Sequence, residues 1–132
     1  MEISRIGVVG AGQMGNGIAH VCALAGYDVV MTDISAEALT AAMALIERNM
    51  GRQVSRGKIA EADMKAAMAR IGTTQTLTDL GASDLIIEAA TERETVKQAI
   101  FEDLLPHLKA DTILTSNTSS ISITRLASRT DR

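Results

Sequence analysis

Aromatic side chains are scarce in this sequence of 132 residues, which contains one tyrosine, one phenylalanine and no tryptophan. Proteins that bind single-stranded nucleic acids usually stack the bases on aromatic rings. Binding to a phosphate backbone also needs an excess of basic side chains, whereas the formal net charge here is −3. We therefore expect no nucleic-acid partner.

Cysteine and long apolar runs are also scarce. The single cysteine, Cys22, cannot form an internal disulfide bond, and its apolar surroundings favour a small core residue over a reactive thiol. No run reaches the 18 or so apolar residues of a membrane span, and the segment after Met1 is typical of a strand rather than a signal peptide. These features predict one cytoplasmic domain with no membrane partner.

What the sequence does contain is a glycine-rich motif near its amino terminus. Residues 3–9 are mostly apolar and β-branched, as in a buried strand, and residues 16–25 have helical composition. A second apolar run, residues 29–31, ends at the carboxylate of Asp33. Strand, turn, helix and strand within about 30 residues predict a βαβ unit with two neighbouring parallel strands. The turn has G-x-G-x-x-G spacing and consists of Gly10, Ala11, Gly12, Gln13, Met14 and Gly15.

This motif predicts a dinucleotide site. Gly10 would permit a sharp turn, Gly12 would let the backbone approach a pyrophosphate, and Gly15 would let the helix pack closely on the strand. The start of the helix would then face the anion. Asp33 lies where a carboxylate accepts hydrogen bonds from ribose hydroxyls, and it would repel a 2′-phosphate, so NAD is favoured over NADP. Taken alone, three glycines could simply form a loop.

A helical hairpin follows the second strand. Residues 36–50 carry apolar side chains at helical spacing after a candidate N-cap, Ser35, and residues 59–71 form a second helical stretch. If the first helix continues through Gly51, then Arg48, Arg52 and Arg56 share one face. That face is either a solvated basic surface or a phosphate site.

The remaining chain alternates strands and helices. Residues 72–78, 85–90 and 112–115 are predicted strands, and residues 95–105 are a predicted helix that ends at Pro106. Glu88, near the end of its strand, lies where doubly wound sheets bind ligands, although it could instead pair locally. The hydroxyl- and amide-rich residues 116–120 could equally form a turn that caps a helix at 121–128. The whole pattern predicts an α/β fold with a doubly wound, mostly parallel sheet of the Rossmann type and a helical hairpin insertion.

Three motifs together resemble the amino-terminal domain of the L-3-hydroxyacyl-CoA dehydrogenases: GAGQMGNGIA from residue 10, IEAATE from residue 87 and SNTSS from residue 116. The first is shared with other dehydrogenases, whereas the second and third are more specific, and the resemblance covers nearly the whole chain. It implies NAD as the cofactor and an acyl-CoA substrate whose 3-hydroxyl is oxidised to a ketone. No metal site is predicted.

The resemblance also implies roles for individual residues. The glycine loop would hold the NAD pyrophosphate and Asp33 the adenosine ribose. Ser119 would hydrogen-bond the reacting oxygen of the substrate, while Arg52 and Arg56 would meet the coenzyme A moiety. The nicotinamide half would contact three further residues, Glu92, Lys97 and Asn117.

The family's carboxyl-terminal half has no counterpart in this sequence. Its catalytic histidine stands in a His-Phe-Phe-Asn-Pro segment that is missing here, whereas His20 and His107 are interpreted as structural or surface residues. We therefore expect residues 1–132 to form one NAD-binding domain that is inactive alone, cut from an enzyme that dimerises through the missing half. Two alternatives remain: an NAD-binding module without catalysis, and a hydroxyacid dehydrogenase that does not use coenzyme A.

Overall fold

A computed structural model describes residues 3–90 and 94–116. Within them, strands and helices alternate almost throughout, and two short 3-10 turns, Leu77–Leu80 and Leu105–His107, precede the last two strands. The strands are β1 (Arg5–Val9), β2 (Asp28–Thr32), β3 (Ile71–Thr74), β4 (Leu85–Glu88) and β5 (Ile113–Ser116). The helices are α1 (Gln13–Leu24), α2 (Ala36–Ser55), α3 (Glu61–Ala69) and α4 (Glu94–Leu104).

The five strands form one sheet in the order β3-β2-β1-β4-β5, and every neighbouring pair is parallel. This confirms the predicted doubly wound α/β fold with a hairpin insertion. The strand order reverses at β1, which is where such sheets leave a crevice for a ligand. The last residues of all five strands lie in one row at the carboxyl edge, in the order Thr74, Thr32, Val9, Glu88 and Ser116.

Helices cover both faces of the sheet, because the strands present apolar side chains to both sides. On one face, α1, α2 and α3 contribute to a large core. On the other face, α4 and the turn Leu77–Leu80 enclose a smaller cluster of Val9, Leu80, Ile86 and Leu104. Full burial of each large apolar side chain stabilises the fold by about 1.5–3 kcal/mol. The fully buried side chains of the large core include Val8, Ala19, Ala23, Met31, Ile46, Met50 and Ala67.

The helical hairpin agrees with the prediction, and its helices have identifiable ends. The Ser35 hydroxyl accepts a hydrogen bond from the Ala38 N–H at 3.1 Å, so Ser35 is the N-cap of α2, as predicted. α2 continues through Gly51 to Ser55. α3 begins at Glu61, two residues later than expected, because the Asp63 carboxylate accepts a hydrogen bond from the Ala60 N–H at 3.0 Å and caps the helix there.

Two predicted strands were too long. β3 ends at Thr74 rather than at residue 78, because its last ladder bond is donated by the Asp33 N–H to the Thr74 carbonyl at 3.3 Å. Residues 77–80 then turn away as a 3-10 helix. β4 ends at Glu88 rather than at residue 90, and the predicted helix 121–128 lies outside the described residues.

Asp84 fixes the opposite, amino edge of the sheet. Its carboxylate accepts hydrogen bonds from the N–H groups of Ser4 at 2.9 Å and Arg5 at 3.0 Å, and it forms an ion pair with Lys109. The bond to Lys109 and these backbone donors hold the pKa of the Asp84 carboxyl well below its ordinary value. The carboxylate therefore links β1 to the loop that precedes β5.

Within the described residues, no helix is both long and apolar enough to cross a membrane.

Candidate functional site

The glycine turn lies between β1 and α1, and two of its glycines could not carry a side chain. Gly10 has a φ of 107°, and a Cβ added there would lie 2.7 Å from the Ala90 Cα. A Cβ on Gly15 would lie 1.8 Å from the Gly10 carbonyl oxygen. The predicted close packing at Gly15 is therefore chiefly against the turn itself rather than against the strand.

The remaining glycine of the motif faces open space. A Cβ on Gly12 would meet nothing within 4 Å, which leaves room for a ligand to approach the backbone. Gly12 is also the N-cap of α1, and it supplies no side-chain hydrogen bond. Because the first N–H groups of a helix have no intrahelical partner, this end of α1 can receive an anion.

Asp33 connects the glycine turn to the start of α2. One carboxylate oxygen, Oδ2, accepts a hydrogen bond from the Ala11 N–H, and the other, Oδ1, accepts one from the Ser35 N–H, each at 2.9 Å. A carboxylate has about four acceptor positions, so both oxygens can still bind ribose hydroxyls. The residue spacing predicted the position of Asp33 but not its bond to the turn.

A cavity of about 270 Å³ adjoins Asp33 at the carboxyl edge. Three apolar side chains, Leu77, Val96 and Ile100, form much of its wall, and a flat heteroaromatic ring fits such a lining. Gln75 supports the wall, because its side-chain amide donates a hydrogen bond to the Ile34 carbonyl at 2.9 Å. This pocket was not predicted from the sequence, because the spacing of Val96 and Ile100 is that of a core-facing helix surface. Their i, i+4 pairing was the available signal.

A second polar cluster lies at the end of β4. The carboxylate of Glu88 and the ammonium of Lys97 form an ion pair, and both side chains are 0% exposed. Glu88 Oε1 also accepts a hydrogen bond from the Ser116 hydroxyl at 2.8 Å, and Oε2 accepts one from the Ala90 N–H at 2.7 Å. The sequence allowed two interpretations of Glu88, ligand binding at the strand end or local pairing, and the structure shows local pairing.

Residues 5–132 match the family described as "3-hydroxyacyl-CoA dehydrogenase, NAD binding domain". The chain belongs to this family. Both the family resemblance and NAD as the cofactor are thereby confirmed.

The names of individual relatives agree with the description of the family. The chain is 54% identical over 130 residues to a 3-hydroxybutyryl-CoA dehydrogenase of Bradyrhizobium diazoefficiens, covering 98% of the chain and 44% of that protein. It is 41% identical over 132 residues to a probable 3-hydroxybutyryl-CoA dehydrogenase of Bacillus subtilis, covering 100% of the chain and 46% of that protein. The crystal structure of (S)-3-hydroxybutyryl-CoA dehydrogenase from Ralstonia eutropha superposes with a TM-score of 0.95 at 44% identity, over 99% of the chain and 46% of that structure. The chain thus spans less than half the length of these relatives.

The family resemblance placed Lys97 beside the nicotinamide. In the structure the Lys97 ammonium is buried and forms an ion pair with Glu88, and its place beside the nicotinamide stays a prediction. Three other residues of the expected site, Glu92, Asn117 and Ser119, lie outside the described residues.

The basic surface of the hairpin has the predicted helical arrangement. Since α2 continues through Gly51, Arg48 and Arg52 lie on its last turns, and Arg56 is its C-cap. All three side chains are exposed. Arg52 donates to the Asn49 side chain at 3.5 Å, a weak contact that leaves the guanidinium accessible. The three guanidinium groups, which can donate hydrogen bonds to a phosphate, therefore lie on one surface, as expected for a helix that continues through Gly51.

The two histidines and the cysteine occupy places away from the crevice. The His20 ring contacts the Gln53 side chain at 2.8 Å and so links α1 to α2, while His107 is exposed in the 3-10 turn before β5. Cys22 packs partly against the core, and burial raises the pKa of its thiol, which disfavours the reactive thiolate. In the described part of the chain, no group of three or more His, Cys, Asp or Glu side chains could hold a metal ion.

Proposed function

We propose that this chain is the NAD-binding part of a 3-hydroxyacyl-CoA dehydrogenase that oxidises the 3-hydroxyl of an acyl-CoA, such as 3-hydroxybutyryl-CoA, to a ketone. The observation that carries the proposal is the bond from the Ala11 N–H to Asp33 Oδ2, which joins a ribose acceptor to a pyrophosphate turn at the point where the strand order reverses. The names of the relatives support the acyl-CoA substrate, with 3-hydroxybutyryl-CoA and 3-hydroxyadipyl-CoA both represented among them.

Each described part of the site has a task in this proposal. Gly12 and the start of α1 receive the pyrophosphate, Asp33 accepts hydrogen bonds from the adenosine ribose, and the 270 Å³ cavity encloses the adenine. NAD, when bound, accepts the hydride from the substrate carbon. The protein contributes by holding the dinucleotide in one orientation across the carboxyl edge.

The substrate side of the reaction involves residues beyond the described ones. Ser119 remains the predicted donor to the reacting oxygen. The His20 ring is hydrogen-bonded to the Gln53 side chain. His107 lies near the amino edge of the sheet, close to Gly81: a Cβ added to Gly81 would lie 2.7 Å from the His107 carbonyl oxygen. We propose that the base that takes the hydroxyl proton comes from the half of the enzyme that this chain does not span. Dimerisation through that half and a cytoplasmic location are likewise proposals.

Coenzyme A would contact the hairpin. Its 3′-phosphate and diphosphate suit the guanidinium groups of Arg52 and Arg56, because planar donors bind phosphate oxygens in pairs. An exposed position on the last turn of a long helix would let these groups reach a ligand that lies across the domain. This contact distinguishes the acyl-CoA enzyme from a hydroxyacid dehydrogenase that does not use coenzyme A.

Cofactor discrimination tests the proposal. Titration of the purified chain with NADH and NADPH should give tighter binding of NADH, because the Asp33 carboxylate repels a 2′-phosphate. Asp33→Asn keeps the shape but removes the charge, so NADH affinity should fall by about 1–3 kcal/mol and the discrimination should shrink.

The matched control is Asp28→Asn, an exposed carboxylate at the other end of β2, which should leave both affinities unchanged. Equal affinity of the unaltered chain for the two cofactors would contradict the role given to Asp33.

A further inference from the structure

Glu88 and Lys97 form a pair of buried charges whose presence the stability of the fold does not explain. Both side chains are 0% exposed. Taking two charges out of water costs several kcal/mol per ion, and apolar residues of similar volume often stabilise a protein as well or better. A fully buried ion pair therefore calls for another reason, such as fixing the position of groups around it.

The Glu88 carboxylate joins three segments at the carboxyl edge. It binds α4 through Lys97, the end of β5 through the Ser116 hydroxyl, and the turn after β4 through the Ala90 N–H. In the sheet, Glu88 is the register partner of Val9 on one side and of Ser116 on the other. One carboxylate thus sets the relative positions of the ends of β4 and β5 and the first turns of α4.

The same turn also supports the glycine motif. The Ala89 N–H donates to the Val9 carbonyl at 2.8 Å, and the Gly10 backbone lies so close to Ala90 that a Cβ would reach within 2.7 Å of the Ala90 Cα. Since Glu88 Oε2 holds the Ala90 N–H, the carboxylate also braces the surface on which Gly10 rests.

The direction of the cofactor places its second half above this cluster. Asp33 on the β2 side takes the adenosine ribose, and α1 takes the pyrophosphate, so a dinucleotide that crosses the crevice extends toward β4 and β5. We infer that Glu88 is a positioning residue for the nicotinamide half of the NAD site, acting by holding Lys97 and Ser116 in place beneath it. The inference rests on the proposed NAD site and assigns Glu88 no contact with the cofactor.

A comparison of two ligands separates positioning from mere stabilisation. ADP keeps the adenosine and diphosphate of NADH but lacks the nicotinamide riboside, so it should bind the unaltered chain more weakly than NADH does. Glu88→Gln removes the negative charge that holds Lys97 while keeping the side-chain shape. We expect NADH affinity to fall at least tenfold and ADP affinity to change less than twofold, both measured by calorimetric titration of the purified chain.

Equal losses of NADH and ADP affinity, or no loss of either, would show that Glu88 has only a structural role or none. Equal affinity of the unaltered chain for NADH and ADP would also overturn the inference. Failure of the unaltered chain to bind ADP at all would instead contradict the proposed dinucleotide site, so the two ideas fail separately.

A second variant covers the case in which Glu88→Gln does not fold because Lys97 keeps an uncompensated buried charge. Ser116→Ala removes one donor to Glu88 Oε1 and leaves the ion pair intact. NADH affinity should fall at least threefold, with ADP affinity unchanged. The matched control is Thr115→Ala, which removes a β5 hydroxyl that donates to the Ile86 carbonyl of β4 at 3.0 Å without touching Glu88. If the two alanine variants bind NADH equally well, the inference is wrong.

Discussion

At the scale of single residues, the three glycines of the motif are not equivalent. Gly10 and Gly15 lie where a side chain would meet backbone atoms, whereas Gly12 lies beside open space. The sequence spacing correctly predicted a close approach at Gly15, but only the structure identifies the Gly10 carbonyl as the group that is approached. Gly10 and Gly15 are therefore needed for folding of the turn, whereas Gly12 leaves open the space that the proposed cofactor needs.

This difference predicts opposite effects of alanine within one helix. Gly15→Ala would bring a Cβ to 1.8 Å from the Gly10 carbonyl oxygen, so α1 must shift, at a cost of about 1–3 kcal/mol in unfolding free energy and with loss of NADH binding. Gly17→Ala, two residues later with nothing within 4 Å, should stabilise the chain by about 1 kcal/mol. Urea unfolding and NADH titration check both, and a Gly15→Ala chain with unchanged stability and affinity would refute the packing argument.

Single-residue roles were the hardest part of the site to predict. The family motif predicted that Lys97 faces the nicotinamide, and this stays a prediction, but the motif did not predict the ion pair between the Lys97 ammonium and Glu88, which belongs to another element. An ion pair between two elements depends on how a helix is placed over a strand, and residue spacing carries little information about that placement. Asp33, in contrast, was predictable because a strand end and a helix start fix its position.

At the scale of elements, the helical hairpin was predicted well because its apolar residues recur with the helical period and Ser35 has a cap-forming side chain. The strand ends were predicted less well: β3 stops at Thr74 because no further ladder bond follows the one from the Asp33 N–H. Threonine-rich sequence favours a strand but does not say where the neighbouring strand ceases to offer partners.

The hairpin gives a prediction about coenzyme A. Replacement of both Arg52 and Arg56 by alanine should weaken coenzyme A binding by about 0.4–2 kcal/mol at low salt, because each exposed charge contact typically contributes about 0.2–1 kcal/mol. Binding to the unaltered chain should also weaken as ionic strength rises, and NADH affinity should stay the same.

Lys65→Ala, which removes an exposed cation from α3 of the same hairpin, is the control for a general effect of charge. If coenzyme A binding at low salt survives the double replacement unchanged, the surface is only a solvated basic face.

The amino edge of the sheet gives a prediction about pH. Hydrogen bonds from Lys109, Ser4 and Arg5 lower the pKa of Asp84 in the folded chain, whereas the unfolded chain has the ordinary value of about 3.9. The stabilisation from Asp84 is therefore fully present above about pH 4 and decreases as the pH falls below that value. Asp84→Asn should destabilise the chain at pH 7 and by a smaller but still measurable amount at pH 3, because the folded-state pKa of Asp84 lies well below that pH and only part of the stabilisation is lost there.

Urea unfolding at the two pH values measures this difference. Asp103→Asn, at an exposed position on α4, serves as the control and should change little at either pH. A constant difference between the Asp84→Asn chain and the unaltered one from pH 7 to pH 3 would mean that Asp84 does not contribute through its charge.

At the scale of the whole molecule, the chain matches proteins more than twice its length and corresponds to one part of them. The fold of this part was predictable because strands and helices alternate along most of the described residues and the glycine motif fixes the first βαβ unit. The crevice could be located from the same information, since strand order determines where a parallel sheet opens. The 270 Å³ cavity beside Asp33 could not be located from the sequence, because Leu77 and Ile100 are far apart in sequence and meet only in the folded chain.

Because the chain corresponds to only one part of its relatives, we expect it to bind the cofactor without catalysing the reaction. The chain alone should bind NADH but show negligible reduction of acetoacetyl-CoA, followed by NADH absorbance, because loss of a general base alone typically costs about 10²–10⁴ in rate. A chain extended by the remaining half of a relative such as the Bacillus subtilis protein should regain turnover. Turnover by the 132 residues at the rate of an intact relative would place the catalytic residues among them.

The two backbone hydrogen bonds of Asp33 have a consequence for the speed of cofactor exchange. Because the Ala11 and Ser35 N–H groups hold the carboxylate, backbone atoms of the chain itself fix the acceptor that we propose for the adenosine ribose. A preorganised site loses little conformational entropy on association, so the association rate should be close to that of a rigid docking event. Substitutions around Asp33 are then expected to change how long the cofactor stays bound far more than how quickly it arrives.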